Sequence, residues 1–208
     1  MGVEPVDRPT RYHKSEVRED ITPLREAVAL HLHDGIIDSR TMRISKRGEY
    51  ALRALIDLGI AKEAGRPMLQ IGELAGKENI PIKFLEQILV QLKTAGYLES
   101  KRGKLGGYFI KKPLKKISIG SVVRLIDGPL APIMCASVTA YERCSCPDEE
   151  HCGLRMLMID VRNAIANILD RYTLADTVEV TLRKLRRDKA PIPFAELFAP
   201  KTSGSGKS

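Results

Sequence analysis

No stretch of this 208-residue chain reaches the run of about 18 apolar residues that a membrane-spanning helix requires, so no such helix is expected. The opening MGVEPVDRPTRYHKSEVRED lacks the apolar centre of a secretory signal, which predicts a reducing, cytoplasmic location. Cysteine is missing from every apolar stretch. All the thiols fall in one polar segment, CASVTAYERCSCPDEEHC, as Cys135, Cys144, Cys146 and Cys152. In a reducing compartment, thiols gathered in this way suggest metal binding or redox sensing before structural disulfides. The segment has no C-x-x-C knuckle of the kind structural zinc sites use. Internal repeats are absent too. So is any Ser, His and carboxylate constellation fit for nucleophilic catalysis, and GKLGG (103–107) lacks the Lys-Ser/Thr ending of a phosphate loop. The chain is not expected to be an enzyme.

What is present is material for a core and an excess of positive charge. Hydrophobic residues make up 43% of the chain and charged residues 29%, the balance of a soluble globular protein. A net charge of +8 favours an anionic partner, nucleic acid ahead of a membrane, although part of the excess sits in RKLRRDK (183–189). Residues 1–41 form a polar N-terminal extension with one helical stretch in TPLREAVALHLHDGIID (22–38). Regular patterning begins at Met42. Ala51, Ala54, Leu55, Leu58 and Ala61 recur at helical spacing until Gly65 and Pro67 stop them. A short helix follows around Ile71, Leu74 and Ala75. Next comes a helix opened by Pro81, striped by Phe84, Leu85, Ile88, Leu89 and Leu92, and closed by Gly96. YLES (97–100) and YFIK (108–111) read as strands of a basic, glycine-rich hairpin. Three helices and a hairpin in this order predict a mainly α fold, with a winged helix-turn-helix DNA-binding domain at 42–115.

Beyond it, 116–152 is expected to hold a short helix, capped by Ser118 and ended at Gly128, and then the cysteine loop. A single helix over 153–180 carries Leu154, Met158, Val161, Ile165, Ile168 and Tyr172 at alternating four- and three-residue intervals, a heptad seam about 27 Å long. So narrow a stripe suits a two-fold partner helix, with packing on the chain's own domain as the other option. Residues 181–208 are expected to form a basic, disordered tail.

The DNA-reading expectation rests on two features. Opposite the apolar stripe of the third helix stand Lys83, Glu86, Gln87 and Gln91, of which Gln can pair bidentately with adenine and Glu can accept from the cytosine amino group. The hairpin tip SKRGKLGG sets Lys101, Arg102 and Lys104 among glycines, Gly103 included, that allow close backbone approach to phosphates or entry into a minor groove. Alone, the helix face is also what any solvated helix presents; together with the basic tip it points to double-stranded DNA.

MRISKRGEYALRALIDLG, PIKFLEQILVQLKTAGYLESKRGKLGGYFI and TLADTV closely resemble the IscR/NsrR/CymR-type family of bacterial winged helix-turn-helix transcriptional regulators. The resemblance runs from Met42 to about Val178. It implies a homodimer on a palindromic operator, with Lys83, Glu86 and Gln87 on the recognition helix and Arg102 with Gly103 on the wing. Many relatives hold an iron–sulfur cluster on three cysteines and a fourth ligand just before the dimer helix. Cys146 and Cys152 reproduce the family's five-residue gap, whereas the gap from Cys135 is longer than usual. A fourth ligand in one branch is a histidine at the position that here is Arg155, which cannot ligate. In another branch it is a carboxylate of the partner's first helix, at the position of Glu49. Here the expected set is Cys135, Cys146 and Cys152 with Cys144 as fourth, and with Glu49 and His151 as alternatives. Soft thiolates also suit zinc. Three readings follow: a cluster-controlled regulator, in all expectation a repressor; a cluster-free regulator of the same fold answering to thiol chemistry or a protein partner; and a zinc-stapled interaction module with no sequence-specific DNA role.

Overall fold

A computed structural model describes residues 44–103 and 106–195. The 1–41 extension with its expected helix at 22–38, Lys104 at the hairpin tip, and the end of the tail from 196 lie outside the described residues. Among the described residues no helix is long and apolar enough to cross a membrane.

Helix α1 spans Lys46–Glu63. Ser45 caps it, its hydroxyl accepting from the Gly48 N–H at 3.0 Å. All five residues expected on its inner face are buried. Helix α2, Ile71–Glu78, ends at Asn79 in the left-handed conformation (φ 52°), and Pro81 then starts α3, Ile82–Thr94. Leu85, Ile88, Leu89 and Leu92 are fully hidden, while Phe84 stands edge-on to the Tyr50 ring of α1. Strands β1 (Leu98–Lys101) and β2 (Gly107–Ile110) pair antiparallel, Leu98 opposite Ile110 and Lys101 opposite Gly107. Leu69 adds a bridge to Tyr108 on the other side. Only glycine fits at 107, because a Cβ there would collide with the Leu69 carbonyl. This is the winged helix-turn-helix fold.

Helix α4, Ile119–Asp127, is capped by Ser118 and released by Gly128 at φ 87°. It packs along α1, and its Asp127 carboxylate accepts from the Ser45 N–H at 2.9 Å, tying the end of α4 to the start of α1. Helix α5 covers Gly153–Arg171 and α6 covers Leu174–Arg187.

The expected single helix over 153–180 is therefore two helices. Thr173 breaks it by capping α6: its hydroxyl accepts from the Asp176 N–H at 3.2 Å, and Asp176 accepts in return from the Thr173 N–H at 2.8 Å. Across the break the chain bridges to the segment before α4, with Ile119 N–H donating to the Tyr172 carbonyl (2.9 Å) and Leu174 N–H to the Ile117 carbonyl (2.8 Å). The disordered-tail expectation is corrected for residues 181–195. Leu174, Val178 and Leu182, four residues apart, are buried and carry α6 along α1 as far as Arg187. Beyond it, Ile192 and Phe194 pack against the core.

α5 differs from the other described α-helices. No residue of it is buried. Of the expected seam, Leu154 and Ile168 are exposed, Met158, Val161 and Ile165 are half-buried, and Tyr172 lies just past the helix end.

Candidate DNA-reading surface and thiol site

The recognition surface starts from the amphipathicity of α3. Its inner stripe anchors it against α1 and α2, which leaves Lys83, Glu86 and Gln87 exposed near its N-terminal end. Gln91 is different. Its Oε1 accepts from Arg47 of α1 at 3.0 Å and its Nε2 donates to the Leu125 carbonyl of α4 at 2.8 Å, so it braces three helices instead of facing outward. On the wing, Lys101, Arg102 and Gly103 are exposed. Gly103 turns the chain at φ 108°, and its carbonyl accepts from the Gly106 N–H at 2.8 Å. β1 packs on α3, so helix face and wing belong to one rigid unit.

The thiol site is built on two anchors. Cys135 is buried in a single 3-10 turn, Met134–Ala136, and Cys152 is the N-cap residue of α5. Between them Cys144 is half-buried and Cys146 exposed. The sulfurs are neighbours in series. The Cys146 N–H donates to Cys144 Sγ at 3.4 Å. The Cys146 thiol is pushed up to about 11 by its hydrogen bond to Cys144, by burial, and by the nearness of Cys144 and Cys152. Burial first, then Cys144 and Glu149, push Cys135 up too. Mutual elevation of this kind is what gathered thiolates produce when no cation separates them.

Charged residues hold the loop together. Glu149 accepts from the Tyr141 hydroxyl (2.7 Å) and the Cys144 N–H (3.2 Å) and pairs with Arg155 (3.4 Å). These contacts, the Tyr141 hydroxyl foremost, keep its carboxyl below the usual range. Arg155 also donates to the Cys135 carbonyl at 3.0 Å, and Arg162 to the Ala136 carbonyl at 2.6 Å. None of these four was singled out as an organiser of the loop by reasoning from sequence. The signal available was faint: a carboxylate three residues before Cys152 and two arginines seven apart on α5.

Each alternative ligand is engaged with other partners. His151 is exposed and its Nδ1 turns to Asp148 at 2.9 Å. Glu49 lies on α1, paired with Lys46 (2.7 Å) and Arg53 (3.3 Å), whose charges draw its carboxyl below the usual range. Among the described residues no three His, Cys, Asp or Glu side chains already stand in metal-holding geometry. In chemistry and neighbourhood, however, four soft donors already in series fit a thiophilic centre.

Comparison with known proteins matches the chain over residues 44–180 to the Rrf2 family, described as an iron-dependent transcriptional regulator. A putative HTH-type regulator, rrf2-like, of Rhodobacter capsulatus is 39% identical over 135 residues, 64% of this chain and 90% of its own. The HTH-type regulator NsrR of Geobacillus kaustophilus is 33% identical over 150 residues, covering 71% of this chain and 99% of the relative. The solved structure of CymR, the global cysteine regulator of Bacillus subtilis, superposes with a TM-score of 0.55 at 30% identity, over 66% of this chain and 97% of that one.

Proposed function

From the premise that the chain belongs to the Rrf2 family of helix-turn-helix transcriptional regulators, we propose that it is a homodimeric repressor whose grip on a palindromic operator is set by an iron–sulfur cluster in the cysteine loop. Glu86 and Gln87 read base edges in the major groove, while Lys83 at the start of the recognition helix and Arg102 with Lys101 on the wing neutralise phosphates. The uncovered apolar residues of α5 meet the same residues of a second copy. One of the relatives bears the name NsrR.

Cys135, Cys144, Cys146 and Cys152 would hold the cluster, which when bound supplies a centre sensitive to oxidants and to iron supply. The chain's own part is to present these sulfurs, to keep them together before loading, and to link the loop to α5 through the Cys152 N-cap. Ordering the loop sets the attitude of α5 in the dimer, and with it the spacing of the two recognition helices. A coupling of about 5- to 150-fold in operator affinity is ordinary for such control.

The observation that carries this reading is the placing of four neighbouring thiols just before α5, which among the described α-helices has no fully buried residue. Zinc is the second reading, favoured by a donor set of four sulfurs, which suits tetrahedral closure. A cluster-free regulator answering to thiol chemistry or a protein partner is the remaining reading, with the same four cysteines as its reactive groups.

Anaerobic purification followed by a visible spectrum and assays of iron, sulfide and zinc per chain tests the proposal. A coloured protein containing iron and sulfide is expected, with Cys152→Ala losing both the colour and the tight operator complex. A colourless protein with one zinc per chain would move the site to the second reading and leave DNA recognition standing.

A further inference from the structure

The loop that carries the thiols has little to hold it by ordinary means. From Ser137 to Cys152 it forms no helix or strand, and its larger apolar side chains, Val138 and Tyr141, are 75% and 52% exposed. Hydrophobic burial therefore does not close it. The described contacts that do are polar: the Glu142 N–H donates to the Met134 carbonyl at 3.4 Å, and those that tie down the cysteines converge on two residues. Glu149 is the most enclosed acidic side chain of the loop, 14% exposed, and gathers Tyr141, the Cys144 backbone and Arg155. Arg155, in the first turn of α5, brings its Nε between two partners: it donates to the carbonyl of Cys135, twenty residues back along the chain, at 3.0 Å and lies 3.4 Å from the Glu149 carboxylate. Arg162 lies seven residues on along the same face and takes the next carbonyl, that of Ala136.

We propose that Glu149 and Arg155 are positioning residues, a carboxylate–guanidinium clasp that keeps the loop shut on the start of α5 and sets Cys135 and Cys144 side by side before any inorganic group arrives. Neither residue ligates. Glu149 fixes Cys144 through its N–H, and Arg155 fixes Cys135 through its C=O, so each half of the clasp governs a different thiol. Arg162 secures the turn behind Cys135 and explains why loss of Arg155 alone would loosen that turn without freeing it. Glu149, by contrast, has no understudy: its removal strands Tyr141, the Cys144 N–H and one side of Arg155 together.

The purpose of the clasp rests on reading the loop as a metal-holding site, so the test has one arm that needs no metal. In the reduced, metal-free full chain, alkylation by iodoacetamide is followed cysteine by cysteine by mass spectrometry, beside backbone hydrogen exchange. Glu149→Ala is expected to speed labelling of Cys135 and Cys144 by about tenfold or more, the change in local opening expected when charge-assisted hydrogen bonds are lost. Exchange in α1–α3 should not change, which separates the clasp from a general loss of fold. Arg155→Lys keeps the charge but removes the Nε–H that lies between Cys135 and Glu149, and should speed Cys135 more than Cys144; it also serves if the alanine variant does not fold. After iron and sulfide reconstitution, either variant should lose iron to a chelator faster than wild type. Unchanged labelling in both variants, or wild-type Cys135 labelled as fast as in urea, overturns the clasp. Faster labelling in the variants, with a wild type that takes up no iron, keeps the clasp and removes the cluster.

Discussion

Asp57 of α1 and Lys77 of α2 form an ion pair beneath the helix-turn-helix motif, with Asp57 only 2% exposed. The Asp57 Oδ2 atom receives no hydrogen bond, and the Glu78 carboxylate stands close by, itself held by Lys77 (2.6 Å) and Arg53 (2.5 Å). A proton on Asp57 is the group that would satisfy this orphaned oxygen.

Burial, opposed by Lys77 and reinforced by Glu78, pushes Asp57 from its ordinary 3.8 up to about 7. A folded value above the unfolded one means that the stabilising contribution is complete below pH 3.8 and is lost as pH rises to about 7. A surface carboxylate paired with a cation has the opposite sign. Asp57→Asn should therefore gain on wild type in urea midpoint between pH 5 and pH 8. Parallel pH curves for the two proteins would contradict this account.

Gln87 and Gln91 share a helix and one residue type but have different surroundings. Gln87→Ala is expected to relax base preference at one operator position by about 1–3 kcal/mol, with no loss of thermal stability. Gln91→Ala should spare base preference and lower stability by about 1 kcal/mol, since it strands Arg47 and the Leu125 carbonyl. Lys83→Ala should weaken all duplexes alike and flatten the salt dependence by about one counterion. Titrations of a single-substitution operator series at two salt concentrations separate the three.

Ile168 is 51% exposed on α5 although it is apolar. Ile168→Arg is expected to give a folded monomer by sedimentation, with operator affinity down by about a hundredfold as the second reading head is lost. A dimer that survives this change would place the partner's contact elsewhere.

Phe194 lies under Lys77, with the ammonium 5.7 Å from the ring centre, and Ile192 packs beside it on the core. This segment lies beyond the residues that match the family. Phe194→Ala should cost about 1 kcal/mol in denaturant unfolding, the value of a half-buried aromatic side chain, and should raise hydrogen exchange in α2 more than in α3.

The helices of the winged domain were legible because their evidence is local. Leu85, Ile88, Leu89 and Leu92 lie within two turns, and Pro81 and Gly96 bracket them in the sequence itself. The break at Thr173 was not, although T-L-A-D spells a capping box. The four-residue spacing of Leu174 and Val178 continues the helical rhythm across it, and the decisive bonds come from residues 117–119. The bracing role of Gln91 was hidden for the same reason: its partners are 44 and 34 residues away. The four cysteines were plain to see, while Glu149 and Arg155 looked like solvated charges until the carbonyl of Cys135 appeared beside them.

The Ser118–Thr173 bridge, together with the paired bonds from Arg124 to Asp170 at 2.7 and 2.6 Å, pins the far end of α5 to the body carrying α1. The near end begins inside the thiol loop. At 1.5 Å per residue, α5 is thus a rod of about 28 Å with its fulcrum at one tip. Under the proposed coupling, a small swing at Cys152 is carried through these bonds to α4 and α6.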